Sequence, residues 1–148
     1  MGIRTSRRAG LVFAGLAALL APGAGLAQIE DVEGRLLVEL NAAQSLDGGC
    51  SLSFLVINGL PEAIDSLVLE AVLFDAGGQV DRLTLFDFGS LPATRPRVRQ
   101  FVLPGTACES VGAVLINGTE TCAAAGGAPL GCADALELRS RAEIDLLG

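Results

Sequence analysis

The sequence predicts an all-β fold, an antiparallel β-sandwich of about seven strands. Three observations predict it. Apolar residues recur in short runs, some continuous and some alternating with polar residues, and no segment after residue 27 gives a clear helical period. Gly, Pro, Asn and Asp punctuate these runs at short intervals. Four cysteines, Cys50, Cys108, Cys122 and Cys132, are placed to staple such strands.

The elements follow in order. Arg35–Asn41 fits a strand with Leu36, Val38 and Leu40 on one face, and Ser45–Gly49 carries turn chemistry. Cys50–Asn58 is the next strand. Cys50 shares its parity with Leu52, Phe54 and Val56, which turns its sulfur toward the core. Gly59–Ser66 is a loop stopped by Pro61. Leu67–Phe74 is apolar at almost every position, so it reads as a central strand covered on both faces. Asp75-Ala76-Gly77-Gly78 turns it into a second arm, Val80–Phe88, in which neither face is clean and the register is open.

Gly89–Pro96 is extended and proline-punctuated, long enough to cross between sheets. Arg97–Leu103 and Val111–Asn117 are further strands. The Cys50 and Val111 segments echo one another, because each follows a cysteine and ends in Asn-Gly. Cys122–Cys132 bounds a Gly/Ala/Pro loop. From Leu136 to Leu146 apolar and charged residues alternate, which reads as one final strand at a sheet surface; Asp134 to about Leu138 also fits a short helix. This is the pattern of an immunoglobulin-like sandwich, although the buried Trp and the tyrosine corner of true immunoglobulin domains are absent.

Residues 1–27 read as an export signal. Arg4, Arg7 and Arg8 precede the apolar run Leu11–Leu20, which is too short to span a bilayer, and Gly25-Leu26-Ala27 sets cleavage before Gln28. Ser6-Arg7-Arg8-Ala9-Gly10-Leu11 partly matches the twin-arginine (Tat) motif, with Gly10 where that motif prefers Phe; the general secretory (Sec) route also accepts adjacent arginines. Residues 28–148 then form a single domain. Three of the ten arginines leave with the leader and no acid does, so seven Arg face 17 Asp+Glu, a net charge of −10. Nucleic acid and anionic membrane are disfavoured as partners. The expected location is periplasmic or secreted, in a bacterium, with no membrane-spanning segment after cleavage.

An exported chain with four cysteines is expected to hold two disulfides. Three pairings are possible. Proximity favours Cys122–Cys132, and the echo between strands favours Cys50–Cys108. On the chain-entropy model these contribute about 3 and about 4 kcal/mol.

The chain contains no His, Lys, Trp or Tyr. A Ser–His–Asp or Cys–His set is thereby excluded, as is Schiff-base chemistry. Asp75, Asp81 and Asp87 recur at six-residue intervals; Asp75 and Asp81 flank a turn and would need backbone carbonyls to share a Ca²⁺, so turn and surface roles are the default. Arg95, Arg97 and Arg99 form the one basic cluster, a candidate site for an anionic ligand or acidic partner, or else the wet face of a strand paired with acids. Phe54, Phe74, Phe86, Phe88 and Phe101 are assigned to the core. Asn117-Gly118-Thr119 matches a glycosylation acceptor but reads better as a turn.

Ile57-Asn58-Gly59, Leu69–Asp75, Val98–Phe101 and Val114–Asn117 together make the span from Ile57 to Cys122 resemble small exported bacterial proteins known by their twin-arginine leader alone. The apolar strand ending in Phe74-Asp75, followed by Gly and a later Phe-bearing strand, is loosely similar to bacterial FxLYD-type sandwich modules, with Leu73-Phe74-Asp75 in place of Leu-Tyr-Asp. Neither resemblance implies an activity or a site.

The expectation is a non-enzymatic exported sandwich, without cofactor or metal, that binds or supports another exported protein. The alternative is a small-ligand module using Arg95–Arg99. N-terminal sequencing of the exported protein should begin at Gln28, and its non-reduced form should offer no thiol to an alkylating agent; four alkylated thiols would refute the bridges.

Overall fold

In the first strand Leu36, Val38 and Leu40 are wholly buried, as their shared parity requires. The same rule, repeated strand by strand, builds one apolar layer between two sheets. The computed structural model describes residues 32–148 and, alone before them, Gly2. The expected leader over residues 1–27 and its cleavage point therefore fall outside the described residues.

Eight strands follow in chain order: β1 (Leu36–Leu46), β2 (Gly49–Asn58), β3 (Ile64–Asp75), β4 (Val80–Leu91), β5 (Arg97–Pro104), β6 (Val111–Ala123), β7 (Leu136–Ser140) and β8 (Asp145–Leu147). A 3₁₀ turn, Cys108–Ser110, precedes β6, and a single helical turn, Cys132–Ala135, precedes β7. The first sheet has the order β5-β2-β1-β7 and the second β4-β3-β6-β8. The protein is thus an all-β sandwich. Its main core is a cluster drawing Leu36, Leu52, Leu69, Val114, Ile144 and their neighbours from both sheets, and Val32, Leu37 and Ile57 form a smaller buried cluster of their own.

Several sequence expectations are corrected. The sandwich is not purely antiparallel, because β7 runs parallel to β1 and β8 parallel to β6. The single final strand is two. The chain leaves the first sheet after Ser140 and enters the second at Asp145, while Ser140 Oγ donates to Ile144 O at 2.6 Å and holds the turn between them. The alternation survives because Leu138, Ala142, Ile144 and Leu146 face the shared layer from whichever sheet the chain occupies. β6 does not end at Asn117. It runs on to Ala123 with a register shift near Gly118, so Asn117-Gly118 is strand interior and not a turn.

Asn58-Gly59 has a different role from that second Asn-Gly. Asn58 is fully buried. Its Nδ2 donates to Glu62 O (2.9 Å) and Leu91 O (3.0 Å), its Oδ1 accepts from Leu60 N–H (3.0 Å), and its carbonyl accepts from Thr94 N–H (2.7 Å). One side chain thereby ties the end of β2, the following loop and the end of β4. The last bond also holds Thr94 at φ 62, a left-handed backbone that a β-branched residue adopts only under restraint. Gly59 is required by close approach, since a Cβ there would lie 1.8 Å from Val32 O.

The disulfides join Cys50 to Cys108 and Cys122 to Cys132. The first links β2 to the turn that feeds β6, and so one sheet to the entry of the other. The second pins the loop after β6, where Leu130 N–H also donates to Cys122 O at 3.0 Å.

The two Asn-Gly pairs give a direct comparison. Asn58→Ala strands buried donors and acceptors and should lower unfolding free energy by about 3 kcal/mol. Asn117→Ala removes only an exposed bond to Glu70 and should cost less than about 1 kcal/mol. Urea titrations of the two variants check this; equal midpoints would refute the staple.

Candidate docking face and the arginine edge

Each sheet of a two-layer sandwich has an outer face. On the second sheet that face is apolar. Leu83 pairs with Val72, Val72 with Leu115, and Leu115 with Leu147. Residues directly opposite one another point to the same side of a sheet, so these four form one row across all four strands. Leu83 is 64% exposed and Leu147 47%. Val80 pairs with Phe74 beside this row, and Leu85 follows Leu83 at 56% exposure. Val72 is nearly buried, although no second layer covers it among the described residues; its row neighbours do so.

The sequence assigned β3 to two-sided cover. The structure corrects that: Leu67, Leu69, Ala71 and Leu73 face the core, while Val68 and Phe74 are only half-buried. Phe74 is therefore not a core phenylalanine. The other four assigned to the core do meet there. Phe54, Phe86, Phe88 and Phe101 are in mutual contact, with Phe86 stacked on Phe101 at 4.6 Å between centroids.

The charges around the apolar row have one sign. Pairing places Glu70 opposite Leu85, Asp87 opposite Val68, and Asp145 opposite Ala113 on the same face. No arginine of the described strands has its register position there. Arg82 points inward and reaches Thr106 Oγ1 at 2.6 Å. The outer face of the first sheet is mixed, with the cluster of Leu37 and Ile57 and exposed Val98 beside charges of both signs. There Arg35 and Arg139 both engage Glu137, and Arg141 Nε lies 2.9 Å from Glu39.

The basic cluster expected to bind an anion lies at the β4–β5 crossover. Arg97 and Arg99 share a face, but it is the inward parity of Phe101 and Leu103, not the wet one; Val98, Gln100 and Val102 are exposed on the other. Arg99 bridges the sheets: its Nε donates to Phe88 O at 2.8 Å and its Nη2 to Ser90 O at 3.1 Å. It pairs with two carbonyls of the β4 edge and with Val98 O, and among the described residues with no acid. A strand added at this edge would have to displace the guanidinium, and natural sheets commonly block their edges with charge in this way. Arg97 donates to Pro96 O, and among the described residues Arg95 has no side-chain hydrogen bond or ion pair. The structure thus keeps the three arginines close in the chain without converging them on one point.

The hairpin aspartates are turn residues. Asp75 Oδ1 accepts from the N–H groups of Gly77 and Gln79, both at 2.9 Å, and Asp87 Oδ1 from Gly89. Asp81 pairs with Arg82 at 2.8 Å. Among the described residues no group of three or more metal-ligating side chains converges. A surface cleft of about 750 Å³ lies beside Ala42, Ala43 and Ala142 and carries Arg141, Glu109 and Glu143 at its rim.

The exposed row has a sequence signal that is visible in retrospect. Leu83 and Leu85 have the opposite parity to Phe86 and Phe88. Two apolar faces in an edge strand imply one facing out.

Comparison with protein-family models, with curated proteins and with solved structures finds no match. The class that the fold defines is a disulfide-stapled β-sandwich. Among the described residues no helix is long and apolar enough to cross a membrane.

If Arg99 seals the β4 edge, Arg99→Ala should lower unfolding free energy by about 1–2 kcal/mol, while Arg95→Ala stays within about 0.5 kcal/mol. Chemical denaturation of both variants measures it. Equal effects would refute the edge role.

Proposed function

We propose that this chain is an exported, non-enzymatic sandwich of immunoglobulin-like architecture whose role is to bind another exported protein. The observation that carries the reading is the apolar row on the outer face of the second sheet, in which Leu83 and Leu147 are exposed at the two edges and exposed Val80 and Leu85 lie beside Leu83. Monomeric proteins seldom leave so contiguous an apolar surface open to water, and such faces serve in protein contact.

Export is supported by the twin-arginine-like leader and by two disulfides, which persist in oxidising compartments. The destination is the periplasm or the exterior of a bacterium. The immunoglobulin-like label is supported by strand order. β1-β2-β5 and β3-β6-β8 occupy the places of strands A-B-E and C-F-G, and Cys50–Cys108 links the B position to the entry of the F position. The departures are β4 beside β3, the extra β7 and the parallel β8.

The anion-binding alternative is less well supported, because Arg99 is already committed to two backbone carbonyls.

A photo-crosslinking residue placed at Leu83 should trap a specific protein from the exported fraction, and one at exposed Gln44 should not. Absence of any Leu83 adduct, or equal adducts at both positions, would overturn the reading.

A further inference from the structure

We propose that the partner surface docking on the second sheet is an apolar strip bordered by arginine or lysine. This rests on the protein-binding reading above and names the chemistry of the partner. The inference comes from charge around the row. The acids placed on this face by pairing are Glu70 beside Leu85, Asp87 beside Val68, and Asp145 beside Ala113. The arginines lie elsewhere: Arg35, Arg139 and Arg141 on the outer face of the first sheet, Arg95, Arg97 and Arg99 at the β4–β5 crossover, and Arg82 turned inward to Thr106. Three of these arginines are already paired with Glu137 or Glu39.

Docking removes water from the rim as well as from the row. Acids that lose water without a cation nearby raise the cost of association, whereas a partner guanidinium or ammonium lowers it. The same reasoning excludes a second copy laid face to face. A second copy laid face to face brings more acids and no arginine of this face to the rim, so it offers nothing that offsets their loss of water. An anionic lipid surface meets the same repulsion. The apolar row supplies contact area, and the acids select which apolar surface is accepted.

The test uses the whole folded chain and two short synthetic peptides with the same Leu/Val strip, one flanked by arginines and the other by glutamates. The arginine peptide should bind about tenfold or more tightly than the glutamate peptide, and its affinity should fall as ionic strength rises. Leu83→Ser with Leu85→Ser retains every charge, so a loss of binding in this variant separates the apolar row from general attraction to an acidic protein. Both sites are exposed, and the melting temperature of the variant checks that it folds.

Equal binding of the two peptides would overturn the proposal, as would arginine-peptide binding unchanged in the double variant. A concentration-dependent dimer lost in the double variant, or Leu83-dependent binding to phosphatidylglycerol vesicles, would also overturn it. A Leu83 crosslink to a protein partner that coexists with equal peptide binding would leave the protein-binding reading standing and remove only this partner chemistry.

Discussion

Packing among Phe54, Phe86, Phe88 and Phe101 is the contact on which the rest of the structure depends. The four rings come from β2, β4 and β5, so they span both sheets, and every pair lies within 6.5 Å between centroids. Rings of this size bury large area, and five of the six pairs are tilted or edge-on while Phe86 stacks on Phe101. Because Phe86 and Phe88 point inward, Leu83 and Leu85 must point outward. A slip of one residue would reverse both sets and empty the aromatic cluster. The exposed apolar row is therefore a consequence of how the core is filled.

The cluster also fixes the edge beside it. Phe101 anchors β5 against β4, and Arg99, two residues earlier on the same face, then reaches the carbonyls of Phe88 and Ser90. The opposite side of the sandwich closes differently. There the chain itself crosses from β7 to β8 and joins both sheets. Asn58 locks the β2–β3 loop to the end of β4, and Cys50–Cys108 ties β2 to the start of β6. A small domain with few aromatics thus relies on polar and covalent ties where packing alone gives little.

Much of the fold was legible in the residues. β2, β5 and the β3–β4 hairpin lie where parity and turn chemistry put them, and the favoured cysteine pairing is the one present. The arginine cluster was legible as a cluster but not as an edge closure, because its acceptors are backbone carbonyls, which every residue type carries. The exposed apolar face was hidden for a related reason. A continuous apolar strand reads as doubly covered, yet Val72 is shielded by Leu83 and Leu115 from neighbouring strands rather than by another layer. The likeness between the two Asn-Gly pairs misled about Asn117, since one is a buried staple and the other lies on an exposed strand.

Alternation is a property of adjacent residues. The sequence by itself therefore determined which side chains share a face within each strand, and that cysteines would staple the strands. Which sheet a strand joins depends on partners far away in the chain. Only the tertiary structure decided that the final alternating run is split between two sheets, that Arg97 and Arg99 face inward, and that the row through Leu83 is left bare. A strand's period fixes its two faces; which face meets the core is set by the layer it packs against.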